Sequence, residues 1–244
     1  MSDLRAEHVM ITGHAGDALE AYLAQPMAEA RRGGVVVIHH MPGFDRGTKE
    51  IARRFAELGY DALCPNLYWR EAPGAAPDDA AATVRAKGGV PDERLLGDAQ
   101  GAIDHLRSLP SSNGKVGVIG YCSGGRQSVL VACNLDVDAA VDCYGAFVTG
   151  TPPEGAPITN LVDQLPKLRC PLLGLFGQED QFPTPAQVDE LEEILRANGK
   201  DYEFHRYEGA GHAFFSVERP AYNVAAATDG WQRIAAFYGT QLKG

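Results

Sequence analysis

The segment Val118-Ile-Gly-Tyr-Cys-Ser-Gly-Gly-Arg126 constrains this chain more than any other. An apolar strand runs into a glycine-rich turn, and a helical pattern runs out of it. Gly120, Cys122 and Gly124 give the spacing G-x-C-x-G. A side chain at the centre of so sharp a turn is presented at the strand's C-terminal end. Its −2 and +2 neighbours must be small, because backbone passes close to them. Ser123 is the rival for the central place, but it would have Tyr121 at −2. Cys122 also stands at the start of a helix, where the dipole favours a thiolate. The Ser123 backbone N–H would then be an oxyanion donor. Taken alone, the turn fits a small core cysteine equally well. It lacks the Lys-[Ser/Thr] ending of a P-loop, and G-x-G-x-x-G is absent.

The rest of the chain supplies a frame for that turn. Two alternating stretches, His8–Thr12 and Ala18–Leu23, read as an antiparallel hairpin around Gly13–Asp17. Gly34-Val-Val-Val-Ile-His39 is a continuous apolar run, as expected of a strand buried on both faces of a parallel sheet. Further strands are predicted at Tyr60–Cys64, Lys115–Ile119, Ala139–Cys143, Pro171–Phe176 and Tyr202–Tyr207. Helices are predicted at Thr48–Leu58, Asp92–Ser108, Ser123–Cys133, Pro185–Ala197 and Ala221–Tyr238. Strands alternating with helices predict an α/β fold with a mostly parallel sheet of about eight strands, covered on both faces. No linker divides residues 1–244, so one domain is expected. The longest irregular stretch, 66–89, holds Pro73, Gly74 and Pro77 and a short helix around Asp78–Lys87. It reads as a lid or active-site excursion.

Two later turns complete a pattern with Cys122. Asp180 follows the strand ending at Phe176, and His212 lies in the glycine-flanked loop Tyr207-Glu-Gly-Ala-Gly-His-Ala-Phe214 before the last helix. The order nucleophile, acid, histidine is that of α/β-hydrolases, here with spacings of 58 and 32 residues. Glu179 is the alternative acid; Asp180 is favoured because it lies further out in the turn on a shorter side chain. In these roles Cys122 attacks a carbonyl carbon, His212 shuttles the proton, and Asp180 fixes the imidazole. A second oxyanion donor should come from the loop after the Val35–His39 strand, and Met41 N–H is the candidate. His205 falls in a strand, and His8, His14 and His105 have no partner motif. No H-E-x-x-H or similar metal-ligand spacing occurs, so metal catalysis is disfavoured.

Charge and cysteine usage narrow the setting. Net charge is −10, from 32 acidic and 22 basic residues, and no Lys/Arg cluster exceeds two. Nucleic acid and anionic membrane are poor partners for such a surface. The N-terminal residues have no apolar core of signal-peptide length, and no 18-residue apolar run occurs. Five cysteines without a C-x-x-C pair argue against a disulfide framework and for a reducing, cytoplasmic setting.

With these residues in hand, the sequence resembles the dienelactone hydrolase family of α/β-hydrolases over nearly its whole length. The segments that carry the resemblance are Gly-Tyr-Cys122-Ser-Gly-Gly, Ser112-Asn-Gly-Lys-Val-Gly-Val, Cys64-Pro-Asn-Leu-Tyr68 and Gly211-His212-x-Phe214. The resemblance implies a Cys–His–Asp triad and cofactor-free hydrolysis of a lactone or ester, by a monomer or small homo-oligomer. It also exposes two departures. The family's glutamate after the third strand is His40 here, and a protonated imidazole would favour a thiolate where a carboxylate opposes it. Of two arginines that bind a substrate carboxylate, Arg85 takes the first position, but the second, four residues after the histidine, is Ser216. Arg219 or another cation would have to substitute. His40, Arg85, Tyr144 and Phe214 are the candidates for substrate binding or thiol tuning. A thioesterase or acyl transferase would use the same residues, and a redox-sensing thiol would need only Cys122.

Overall fold

The structure is a computed structural model describing residues 3–243. Met1, Ser2 and Gly244, the ends of the span expected to form one domain, lie outside the described residues.

Eight strands form one sheet in the order β1-β2-β4-β3-β5-β6-β7-β8. They are β1 Leu4–Thr12, β2 Ala18–Pro26, β3 Arg32–Ile38, β4 Asp61–Pro65, β5 Ser112–Tyr121, β6 Ala139–Cys143, β7 Leu172–Gly177 and β8 Tyr202–Tyr207. β1 pairs antiparallel with β2, and β2 antiparallel with β4; every other pairing is parallel. The mostly parallel eight-stranded α/β sheet is therefore as the sequence predicts. The hairpin strands run longer than their alternating cores, because pairing continues to Leu4↔Pro26.

Burial explains the sequence pattern strand by strand. Every residue of β3 and β7 is buried, whereas the edge strands β1 and β8 are largely open. The period of two then divides β3 between two cores. Val36 and Ile38 face one side with Leu63 and Val118. Val35 and Val37 face the other with Ile119, Val141 and Leu175. Each such side chain contributes about 1.5–3 kcal/mol of burial free energy.

Six helices cover the sheet: α1 Arg46–Glu57, α2 Pro77–Ala86, α3 Asp92–Ser108, α4 Ser123–Asn134, α5 Pro185–Ala197 and α6 Val224–Gln241. Phe55 of α1 and Trp231, Ile234 and Tyr238 of α6 fill the Val35 face; residues of α2, α3, α4 and α5 fill the Val36 face. α1 starts at Asp45, whose carboxylate accepts the Thr48 N–H at 2.8 Å. α5 starts at Thr184 with a reciprocal Thr184–Gln187 capping box. No helix among the described residues is long and apolar enough to cross a membrane.

The 66–89 stretch is more ordered than its composition suggests. It contains α2, which buries Ala80, Ala81 and Val84. Its start is clamped by Arg70, which donates two 2.8 Å hydrogen bonds to the fully buried Asp98 of α3. Such a bidentate pair fixes orientation as well as contact.

Candidate active site

The loops at the C-terminal ends of β3, β5, β6, β7 and β8 converge. The turn after β5 is as tight as its glycines require. Cys122 has φ 57° and ψ −120°, a conformation that L residues rarely adopt. A Cβ on Gly120 would stand 1.8 Å from the Gly124 carbonyl oxygen. A Cβ on Gly124 would stand 2.5 Å from the Ile38 carbonyl oxygen. The Cys122 N–H donates to the Cys143 carbonyl at 3.1 Å, which ties the turn to the end of β6. Ser123 is the first residue of α4, so its N–H has no acceptor within the helix.

Asp180 and His212 meet there, as the sequence order predicts. The His212 Nδ1 lies 2.9 Å from Asp180 Oδ2, and Asp180 is only 1% exposed. Asp180 Oδ1 accepts the Phe182 N–H at 2.8 Å, so both carboxylate oxygens are held. Glu179 is exposed and makes no such contact with His212. Burial works to lower the His212 pKa, but hydrogen bonds and charges from Asp180 and Cys122 outweigh it, raising the pKa to about 10. The imidazole thus lies between the carboxylate and the thiol.

Tyr144 stacks edge-on against His212 at 5.1 Å between ring centroids, and it adopts φ 45°. Burial raises its hydroxyl pKa well above the usual tyrosine value, partly offset by Ser216. Phe214 is fully buried behind Tyr144 and Tyr207, so it supports the site from beneath and has no surface to offer a substrate. Its neighbour Phe215 is the one that lines the adjoining cavity. The choice between them depends on the backbone turn at Ala213, where φ is 64°.

The loop after β3 carries three consecutive residues with different partners. His39 is buried; its Nδ1 lies 2.8 Å from the His40 carbonyl and its Nε2 accepts the Leu67 N–H at 3.3 Å. Burial lowers its pKa to about 4, so it is a neutral structural ring. His40 turns toward α1, with Nε2 at 2.6 Å from Asp45 Oδ2. Burial would raise the Asp45 pKa, but His40 and the Thr48 N–H hold it down at about 2. The Met41 carbonyl accepts the Tyr68 hydroxyl at 2.8 Å, which pins this loop to the 66–89 stretch. Tyr68 feels both Arg85 and Cys122, so the Arg85 cation, although exposed on α2, belongs to the same neighbourhood. His39 and Asp45 carry no motif that singles them out in the sequence, and Tyr68 stands out only as the end of the Cys64–Tyr68 segment; their importance lies in contacts with distant chain.

A cavity of about 570 Å³ adjoins these groups, reaching His40, Tyr144 and Ser216. Among the described residues no cluster of three His, Cys, Asp or Glu side chains could hold a metal ion.

Fold and constellation together define an α/β-hydrolase. The dienelactone hydrolase family model matches residues 19–242, and the chain belongs to that family. A carboxymethylenebutenolidase of Pseudomonas putida is 32% identical over 226 residues, covering 91% of each chain. An Escherichia coli K12 protein provisionally given the same name is 35% identical over 233 residues, covering 91% of this chain and 83% of its own. Among solved structures, a Klebsiella pneumoniae protein provisionally named a dienelactone hydrolase superposes with a TM-score of 0.86. It is 28% identical, with 97% of this chain and 99% of that one covered.

Proposed function

We propose that this member of the family hydrolyses a lactone or small carboxylic ester through an acyl-enzyme on Cys122. The observation that carries the reading is His212, held at 2.9 Å by the buried Asp180 and close enough to Cys122 for the sulfur to raise its pKa.

The chemistry follows from these contacts. Cys122 Sγ attacks the carbonyl carbon while its proton rests on His212 Nε2. The oxyanion is met by the N–H groups of Ser123 and Met41. Collapse breaks the C–O bond, and the imidazolium gives its proton to the departing alkoxide. In a lactone that alkoxide stays tethered to the acyl group. Two of the influences that raise His212 to about 10 come from the Cys122 sulfur. Acylation removes the sulfur charge, so the imidazole pKa falls and the ring becomes a competent base. His212 then takes a proton from water, hydroxide adds to the thioester, and the thiolate leaves. Asp180 holds the tautomer with Nδ1–H throughout.

Turnover of p-nitrophenyl acetate and of dienelactone by wild type, Cys122→Ala and Asp180→Asn tests this reading. Loss of all turnover in Cys122→Ala is expected. Full activity in that variant overturns the proposal.

A further inference from the structure

The 570 Å³ cavity is much larger than a monocyclic lactone needs. Its floor along α1 is Arg46, Gly47, Glu50, Ile51 and Arg54, the i, i+4, i+8 face of one helix. At 1.5 Å per residue, Arg46 to Arg54 spans about 12 Å. The lining includes His40, Tyr144 and Ser216 of the candidate active site, together with Arg54 and Trp231.

Arg54, an exposed residue, stands out among the groups that line the cavity. The Arg54 guanidinium stacks on Trp231, with Cζ 4.0 Å from the ring centroid. Arg54 enters none of the ion pairs found among the described residues, although Glu57 one turn on contributes to its field. Tyr121 also lines the cavity, is 4% exposed, and interacts with the Arg54 charge. Its hydroxyl is buried with no hydrogen-bond partner, which costs about 1–3 kcal/mol unless something supplies one. The acids of the cavity do not neutralise Arg54. Asp45 pairs with His40 and Glu50 with Arg53, while Asp78 and Glu218 are exposed at the mouth.

We infer that this groove holds an extended arm of the ester substrate, ending in a negatively charged group received by Arg54 beside Tyr121. The arm is aliphatic or aromatic, because Ile51, Phe215 and Trp231 form the walls. The inference rests on the ester-hydrolase reading of Cys122.

Mono-p-nitrophenyl esters of dicarboxylic acids from succinate to sebacate provide the test. Each is compared with the uncharged alkanoate ester of equal chain length. The charged-to-uncharged ratio of kcat/KM is expected to reach about tenfold at one chain length of the series, the size of a charge-assisted contact. Arg54→Gln is expected to bring that ratio to near one. A ratio that never exceeds one, or that Arg54→Gln leaves unchanged, overturns the inference while leaving the hydrolase reading intact. Should wild type cleave none of the esters, the hydrolase reading fails. The groove is then decided by calorimetric binding of sebacate: binding lost in Arg54→Gln supports it, and no binding to wild type overturns it.

Discussion

The Gly124 carbonyl oxygen occupies the place where a Cβ on Gly120 would have to go, 1.8 Å from it. No rotation of a flexible side chain relieves that overlap, since both partners are backbone. Gly120→Ala should therefore cost more than about 3 kcal/mol and open the turn that presents Cys122. Thermal unfolding together with ester turnover checks this; a variant with unchanged Tm and activity contradicts it.

Asp180→Asn removes a hydrogen bond and a charge that raise the His212 pKa. An amide can also stabilise the wrong tautomer. Under the proposed mechanism kcat/KM falls by roughly three to four orders of magnitude. The His212 titration, followed by NMR, moves below about 10. In wild type, kcat/KM declines as pH rises through about 10, where the imidazolium that protonates the leaving group is lost. The same raised pKa contributes stability that is complete below the ordinary histidine value of 6.5 and disappears as pH rises through about 10.

His40 is bonded to Asp45, so its influence on Cys122 is that of a pair. Replacing His40 with Gln leaves the Asp45 charge less compensated and makes the surroundings of the thiol more negative. His40→Gln should show weaker thiolate ultraviolet absorbance at pH 7 and several-fold slower alkylation of Cys122. Equal absorbance and alkylation in the two proteins would sink this account.

Asp142 of β6 is buried completely, in space left by Gly125 and Gly145, and burial raises its pKa to about 7. Its Oδ1 accepts the Gly145 N–H at 2.7 Å, and its Oδ2 has no partner. A carboxyl whose folded pKa is raised costs stability once pH exceeds the unfolded value of 3.8, and the full penalty is reached above about 7. Asp142→Asn keeps an acceptor for Gly145 and removes the charge. It should stabilise the protein at pH 8 by roughly 4 kcal/mol relative to its effect at pH 4. Urea unfolding at the two pH values decides it; an equal effect at both rules the account out.

What the sequence makes legible here is local or ordered along the chain. Cys122 prevails over Ser123 because Gly120 and Gly124 sit two residues to either side. Asp180 and His212 follow because each lies in the turn after a buried strand. The unreadable parts are meetings between distant side chains. Nothing near His40 says that it will face Asp45, because that depends on how α1 enters after the loop. Phe214 and Phe215 differ only by which side of a turn they take. Asp142 sits between Val141 and Cys143 in an apolar strand, and only the packing of α4 on β6 reveals the room its carboxyl occupies. Nothing near Arg54 says that its exposed guanidinium will lie over Trp231, 177 positions later.

The buried thiols have a practical consequence. Cys64, Cys133, Cys143 and Cys170 are buried, whereas Cys122 is partly open. Burial pushes Cys133 and Cys170 up to about 12 and drives Cys64 and Cys143 higher still. Native protein therefore offers a water-borne, thiol-selective electrophile one address. A single equivalent of a fluorogenic alkylating probe counts folded molecules with an intact elbow, making the chain its own standard for folded thiol.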